Sequence, residues 1–293
     1  MCIRDSCMAL LNKGDEVLLP APYWVSYSAI VSLSEAKFKI IPSSLENGFK
    51  ITPAQLKSEL TSKTKLIMFN SPNNPSGIVY SEKELNEFAE ILEDYPSTYV
   101  LSDEIYEHII YGEKHFSFAN LPNMFDRTIT VNGLAKAFSM TGWRIGYAAG
   151  PKNIISSIRK IQSQSTSNPS SISQAAAVEA LNGTQSFIKK RAKSFSDRRK
   201  FVVNYLNSIT GITCLMPKGA FYVFPSCKGL IGKKTKIKND TDFVQKLLEK
   251  QNVAVVQGSA VGLEGYFRIS YATSMQKLKV AMKRIKLFCE SLS

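Results

Sequence analysis

Short apolar runs alternate with amphipathic stretches along the first half of the chain. The runs are rich in Val, Ile and Leu, and the stretches between them carry apolar residues at helical spacing. This alternation is typical of an α/β fold with a mostly parallel sheet, because parallel strands are buried on both faces and are connected by helices. We predict strands at residues 16–19, 37–41, 65–69, 99–101, 128–131 and 145–149.

Two of the intervening helices have clear start signals. Thr52 is followed by a proline at the first helical position and by Gln55, and Ser81 is followed by Glu84. Both patterns are typical of a capping box, in which the first side chain and the one three residues later bond each other's backbone N–H groups. The second helix then places four apolar residues on one face: Leu85, Phe88, Ala89 and Leu92.

The pattern changes after about Ile172. A long, lysine- and arginine-rich helix is predicted at residues 184–209. We then predict strands at 219–224 and 266–271, with helices at 241–250 and 274–289. We therefore expect a partial large domain at residues 7–182 and a small C-terminal α+β domain at residues 183–293, with the long helix between them.

The first six residues differ from the rest of the chain. They contain no charged segment followed by an apolar one, so they do not form a secretory signal. Residues 8–11 have the pattern of the last turn of a helix, which ends at Asn12-Lys13-Gly14. We therefore expect residues 1–6 to be foreign to the fold and the large domain to be incomplete at its N-terminus.

Composition excludes several protein classes. The chain is 44% hydrophobic and 21% charged, and no apolar run approaches the roughly 20 residues of a membrane span. Its five cysteines form no CxxC pair, which argues against a zinc site or a disulfide framework and favours the reducing cytoplasm. The net charge of +13 is typical of some nucleic-acid binders. However, the densest cluster (Lys233, Lys234, Lys236 and Lys238) is interleaved with Gly, Thr and Asn, so we predict an exposed loop and no nucleic-acid or membrane partner.

Three polar side chains come after predicted strands. Asn74 comes after the strand at 65–69, Asp103 after 99–101 and Lys136 after 128–131. In open α/β sheets ligands bind beyond the carboxyl ends of the strands, so we expect an amide, a carboxylate and an amine to converge on one crevice. Taken alone, each residue is better explained by a structural role: a turn, a helix cap or a surface lysine.

Taken together, the motifs resemble a known family. The sequence resembles the class I/II pyridoxal-phosphate-dependent aminotransferases, and among them the bacterial aspartate (aspartate/prephenate) branch, from about Met8 to the C-terminus. The motifs that carry the resemblance occur in the family's order: Asn73-Asn74-Pro75-Ser76-Gly77, Asp103-Glu104-Ile105-Tyr106, Ala135-Lys136-Ala137-Phe138-Ser139-Met140-Thr141-Gly142-Trp143-Arg144 and Phe267-Arg268-Ile269-Ser270. The resemblance implies the fold type I architecture of these enzymes.

The resemblance also implies a binding site for pyridoxal 5′-phosphate. Lys136 would hold the cofactor covalently and move protons as the freed amine, which requires a lowered pKa. Asp103 would pair with the cofactor's ring nitrogen. Asn74 and Tyr106 would bond its 3′-oxygen and Trp24 would stack on its ring, with Asn74 and Trp24 also facing the substrate.

Two arginines complete the implied site. Arg144 would bind the cofactor phosphate, and Arg268 would hold the substrate α-carboxylate as a bidentate fork. An arginine within an otherwise apolar strand supports the second role. Asn168 matches a segment that lines the entrance, while His108 and His115 match no catalytic position and are expected in loops or at the surface.

The implied activity is transfer of an amino group between an amino acid, first aspartate, and a 2-oxo acid, first 2-oxoglutarate, by a ping-pong mechanism. The family's phosphate-binding loop, a tyrosine from the partner subunit and the readers of the distal carboxylate would precede residue 1, and Gly133 stands where some branches have a phosphate-binding serine. A homodimer is expected for the full-length protein. Alternatives are an aromatic or prephenate aminotransferase, a β-lyase on the same cofactor, or the aminotransferase-like domain of a transcription regulator.

Overall fold

The structure is a computed structural model that describes residues 2–292. The helices are α1 (Cys2–Leu10), α2 (Ser26–Leu33), α3 (Pro53–Glu59), α4 (Glu82–Glu93), α5 (Lys152–Ser165), α6 (Ser171–Asn182), α7 (Ser186–Asn207), α8 (Asp240–Gln251) and α9 (Met275–Glu290). The strands are β1 (Glu16–Pro20), β2 (Lys37–Ile41), β3 (Thr64–Asn70), β4 (Tyr99–Asp103), β5 (Thr128–Gly133), β6 (Gly146–Ala149), β7 (Tyr222–Val223), β8 (Val256–Gln257) and β9 (Phe267–Ser270).

The first six strands form one sheet in the order β2-β1-β3-β4-β5-β6. Every neighbouring pair is parallel except β5 and β6, which are antiparallel. The prediction of a mostly parallel sheet is therefore confirmed. The exception has a simple cause: no crossover helix separates β5 from β6, and parallel pairing requires such a connection.

Both faces of this sheet are buried because its central strands are apolar at successive positions. Val17 and Leu19 of β1 face one core, which α1, α2 and α5 cover. Leu18, between them, faces a second core covered by α3 and α4. The side-chain period of two along a strand separates the two cores. The capping boxes predicted at Thr52 and Ser81 are both present.

A second, smaller sheet has the order β7-β9-β8 and is antiparallel throughout. Helices α7, α8 and α9 pack on it around a separate core that contains Val202, Phe243, Phe267 and Ile285. The predicted long helix and the two predicted strands are therefore present, with shorter bounds. The division at residues 182 and 183 stays a prediction, which the two separate sheets support.

The expectation that residues 1–6 lie outside the fold is wrong for residues 2–6. They form the first turns of α1, and Ile3, Asp5 and Ser6 are buried. Ile3, Cys7 and Leu10 recur at helical spacing, so these residues extend the predicted last turn into a complete helix whose apolar face covers the sheet. Met1 lies outside the described residues.

The surface agrees with the composition. Within residues 2–292, none of the helices combines the length and the apolar character that crossing a membrane would demand. The four clustered lysines beginning at Lys233 are exposed, as predicted. All five cysteines are free thiols.

Candidate active site

The carboxyl ends of β3 and β4 define one edge of a polar crevice. Asn70 and Asp103 are the last residues of these strands and lie opposite each other in the sheet. The Asn70 amide donates to the Asp103 carbonyl oxygen (2.9 Å) and accepts from the backbone N–H of Asn74 (2.7 Å). The second bond ties the turn after β3 back to the end of the strand, so Asn74 lies close to the residue that pairs with Asp103.

Asp103 is a buried carboxylate with two hydrogen bonds. The Tyr27 hydroxyl donates to its Oδ2 (2.5 Å) and the backbone N–H of Ile105 donates to its Oδ1 (3.3 Å). Burial raises the pKa of Asp103 to about 6, although both hydrogen bonds and the Lys136 ammonium act in the opposite direction. The group is therefore ionised at neutral pH and lacks a full counter-charge.

Lys136 lies in the loop after β5, where it is half-buried. Its Nζ is 5.8 Å from the centroid of the Tyr106 ring and 5.9 Å from that of Phe221. Burial lowers the pKa of this amine, the Asp103 charge raises it, and the Arg268 and Arg144 charges lower it again. An amine of reduced pKa is the state that covalent and proton-transfer chemistry requires.

Arg268 stands in β9, the central strand of the small sheet, and reaches across to the large sheet. Its Nη1 donates to Asn74 Oδ1 (2.9 Å), and its guanidinium carbon lies 4.7 Å from the centroid of the Tyr222 ring. The Nε–H is buried and has no hydrogen-bond partner within residues 2–292. A partly buried guanidinium whose Nε–H has no partner among the described residues suits an anionic ligand.

Trp24 and Arg144 lie at the same crevice. Trp24 is half-buried beside α2 and makes an edge contact with Tyr27, with ring centroids 5.6 Å apart. Arg144 is exposed, has a left-handed backbone (φ 56°) and donates from Nη1 to the Thr141 carbonyl oxygen (3.0 Å). The charge of Arg144 acts on Lys136, and Trp24 contacts the Tyr27 ring whose hydroxyl bonds Asp103, so both residues lie beside the groups described above.

His115 lies in a loop, as predicted, but not at the surface. His115 is largely buried, and its Nε2 lies 2.9 Å from Oε2 of Glu104, the residue next to Asp103 in the chain. Ser102 and Ser117 donate to the other oxygen of Glu104 (2.8 and 2.7 Å). By contrast, His108 and Asn168 are exposed in loops, as predicted for His108.

Two tyrosines of this crevice were not predicted. Tyr27 bonds Asp103, and the Tyr222 hydroxyl lies 2.9 Å from that of Tyr106. Both are buried, and their partners are 76 and 116 residues away in the chain. The one available signal was local: Tyr27 stands one helical turn after Trp24, so both side chains lie on one side at the start of α2.

The chemistry of this donor set fits pyridoxal phosphate. An amine of lowered pKa, a buried carboxylate and a guanidinium whose Nε–H has no partner within residues 2–292 converge, with aromatic rings around them. These groups match a covalent carbonyl partner, a protonated pyridine nitrogen and an anionic substrate, respectively.

Comparison with known proteins decides the family. The family model for aminotransferase class I and II matches residues 2–285. The chain belongs to this family. It is therefore a transaminase of the pyridoxal-phosphate-dependent α/β fold, and the resemblance seen in its motifs is confirmed.

Individual relatives are similar over nearly the whole chain. An aspartate aminotransferase of Rhizobium meliloti (strain 1021) is 50% identical, with 99% of this chain and 72% of that protein aligned. A probable aspartate/prephenate aminotransferase of Rickettsia typhi is also 50% identical, over 99% of this chain and 74% of that protein. The crystal structure of a Rhizobium meliloti aspartate aminotransferase superposes with a TM-score of 0.96 at 49% identity, covering 100% of this chain and 74% of that one.

A structural neighbour with a different name widens the comparison. The aromatic aminotransferase of Pyrococcus horikoshii OT3 is 39% identical and superposes with a TM-score of 0.93, over 100% of this chain and 78% of that chain. The same backbone therefore carries enzymes named for different amino acids, and the fold alone does not select the substrate.

Proposed function

We propose that the protein transfers an amino group from aspartate to 2-oxoglutarate in two half-reactions. The observation that carries this proposal is the position of Arg268: its guanidinium, held by Asn74, has a buried Nε–H without a partner in the described part of the chain, and its charge acts on Lys136. A bidentate guanidinium fork binds a carboxylate, so an α-amino acid bound there would carry its amino group and Cα toward the lysine.

Lys136 performs the proton transfers in this proposal. Bound pyridoxal phosphate supplies a carbonyl carbon for the covalent link and an electron-withdrawing ring. With the cofactor bound, the Lys136 amine would take the proton from the substrate Cα and deliver it to the former carbonyl carbon of the cofactor, on the other side of the linking nitrogen; its lowered pKa favours both transfers. Asp103, held by Tyr27, keeps the ring nitrogen protonated through its negative charge.

The remaining side chains orient the bound groups. Tyr106 and Asn74 would bond the 3′-oxygen of the cofactor, and Trp24 would cover its ring. Arg144 is exposed, and one of its guanidinium N–H groups donates to the Thr141 carbonyl oxygen. Its other donors remain available to an anion, so we assign Arg144 to the cofactor phosphate.

The choice of aspartate rests on the relatives. Those at about 50% identity are named for aspartate or for aspartate and prephenate. An aromatic or prephenate aminotransferase is the second candidate, because a structural neighbour at TM-score 0.93 bears the aromatic name. A β-lyase on the same cofactor remains the third.

The test is a half-reaction assay with the pyridoxal-phosphate-loaded protein. Aspartate should bleach the visible band of the bound cofactor and yield oxaloacetate, and 2-oxoglutarate should restore the band. Phenylalanine and prephenate with glutamate test the second candidate, and pyruvate release from a β-substituted alanine tests the third. A loaded protein that keeps its band with aspartate and bleaches with another donor would overturn the choice of aspartate.

Assembly and location are proposed on the same basis. We propose a homodimer, as is usual in this family, and a cytoplasmic location, which five free cysteines support. Sedimentation of the cofactor-loaded protein tests the first proposal, and fractionation of the source cells tests the second.

A further inference from the structure

Tyr222 connects two proposed site residues that belong to different sheets. Its hydroxyl is 2.9 Å from the hydroxyl of Tyr106, a residue just after β4 of the large sheet. The guanidinium carbon of Arg268, a residue of β9 in the small sheet, lies over the Tyr222 ring at 4.7 Å from its centroid. Only 6% of Tyr222 is exposed, so both contacts lie in a medium where polar interactions are strong.

The position of Tyr222 is fixed from both sides. In the small sheet it pairs with Ser270, so Arg268 is its diagonal neighbour on the same face. The residues just before it are bonded to the large sheet's loops: Gly219 N–H donates to the Gly77 carbonyl (2.8 Å) and Ala220 N–H to the Ile109 carbonyl (2.8 Å). These bonds anchor the backbone that carries Tyr222 to the large sheet.

The direction of the hydrogen bond is set by the charges. Burial raises the pKa of Tyr222, but its bond to Tyr106 and the Arg268 cation lower it. The pKa of Tyr106 is raised well above its ordinary value, first by burial and then by Tyr222. The 2.9 Å geometry allows either hydroxyl to donate, and the Arg268 cation 4.7 Å from the Tyr222 ring favours Tyr222 as the donor, which leaves the Tyr106 proton free to point elsewhere.

We propose that Tyr222 is a positioning residue that couples substrate-carboxylate capture to the cofactor's 3′-oxygen. Its hydroxyl donates to Tyr106 and so directs the Tyr106 proton to that oxygen, while its ring holds Arg268 for the carboxylate. The proposal rests on the role proposed above for Tyr106. A hydrogen-bond chain of this kind strengthens each member, so Tyr106 becomes a stronger donor than it would be alone.

The coupling predicts the direction of a spectral shift. The 3′-oxygen of the bound cofactor would accept hydrogen bonds both from the protonated nitrogen that links it to Lys136 and from Tyr106. When the linking nitrogen loses its proton, the oxygen is left with Tyr106 as its donor, and the Tyr106 bond becomes stronger. A weaker Tyr106 donor therefore leaves the proton bound to a higher pH. In Tyr222→Phe the pH midpoint of the visible band should rise by roughly half a unit, with little change in KM, because the ring under Arg268 is retained.

The experiment is a spectral pH titration combined with steady-state kinetics on the pyridoxal-phosphate-loaded protein. Tyr222→Phe should shift the midpoint only, and Tyr222→Leu should shift it and also raise KM roughly five- to tenfold, since the cation–π contact is lost. Tyr80→Phe is the matched control, a buried tyrosine among Phe69 and Phe88, and should change neither.

Three outcomes would overturn the coupling, and they are distinguishable. If Tyr106→Phe shifts the midpoint and Tyr222→Phe does not, Tyr222 does not act through Tyr106. If neither shifts it while the band is present, the role of Tyr106 fails and the coupling fails with it. If the unmodified protein shows no band, the proposed function itself is overturned.

Discussion

At the scale of single residues, Asp103 is a buried carboxylate whose negative charge is only partly compensated by its neighbours. Its carboxylate is buried with two hydrogen bonds, and burial still raises its pKa to about 6. Below that pH the neutral acid is the favoured form. Above it, the folded protein without cofactor holds a partly compensated buried charge, which a cationic ring nitrogen would neutralise.

Removing this charge should stabilise the cofactor-free protein. Because the folded pKa lies above the ordinary 3.8, the folded state binds the extra proton between about pH 4 and 6, and stability is lost as pH rises through this window. We expect Asp103→Asn to be more stable than the unmodified protein at pH 8 by up to about 3 kcal/mol. The two should converge near pH 4 in urea unfolding; equal stability at both pH values would contradict the account.

Tyr27 should tune the pH dependence of cofactor binding. Its hydrogen bond lowers the pKa of Asp103, so Tyr27→Phe raises that pKa further. Affinity for pyridoxal phosphate should weaken below about pH 6 in the unmodified protein and from a higher pH in the variant. Titrations of cofactor binding across this pH range measure the effect, and superimposable curves would show that the hydroxyl has no such role.

The sequence predicts some of these residues and not others, for physical reasons. Asp103 and Lys136 are recognisable because they come after strands, and Arg268 because a charge in an apolar strand is unusual. Tyr27 and Tyr222 escape prediction because an aromatic residue in a buried helix or strand is the ordinary case. Only the packing of distant segments turns their hydroxyls toward the site.

At the scale of elements, local signals predict where helices begin better than how strands pair. The capping boxes at Thr52 and Ser81 form as predicted, since they depend on residues three apart. The antiparallel pairing of β6 depends on the route of the intervening loop, which carries no such signal. Strand β4 also extends to Asp103, because its last polar residues still complete the ladder with β5.

The capping box of α4 offers a test at this scale. Ser81 accepts from the Glu84 N–H, and the Glu84 carboxylate accepts from the Ser81 N–H. We expect Ser81→Ala to lower the free energy of unfolding by about 1 kcal/mol without changing cofactor affinity. Ser58→Ala is the control: this exposed serine bonds a carbonyl within α3 and caps nothing, so urea unfolding should distinguish the two.

At the scale of the whole molecule, the site exists because two sheets meet at a backbone contact. Gly77, after β3, accepts from the N–H groups of Lys218 and Gly219, just before β7. The approach is so close that a Cβ on Gly77 would lie 2.5 Å from Pro217 Cβ. This contact brings Asn74 and Arg268 together, although 194 residues separate them in the chain. The sequence predicts both halves of the fold but not this contact.

Gly77→Ala should therefore loosen the junction of the two sheets. The variant combines a left-handed backbone (φ +68°) with the clash against Pro217. Gly48→Ala has a similar φ of +63° but nothing within 4 Å of the new Cβ, so it isolates the backbone strain. We expect Gly48→Ala to cost about 1 kcal/mol and Gly77→Ala about 1–3 kcal/mol more, with a raised KM only for Gly77→Ala. Equal costs would show that the contact is not tight.

The most direct test of the central claim is to locate the cofactor on the chain. The protein is incubated with pyridoxal phosphate, reduced with borohydride to make the link permanent, digested and analysed by mass spectrometry. The structure predicts one stoichiometrically modified site, Lys136, which is lost in Lys136→Ala, because Lys136 is the amine that burial and two arginines hold at a lowered pKa. Modification spread over the exposed lysines, or undiminished in Lys136→Ala, would contradict the account.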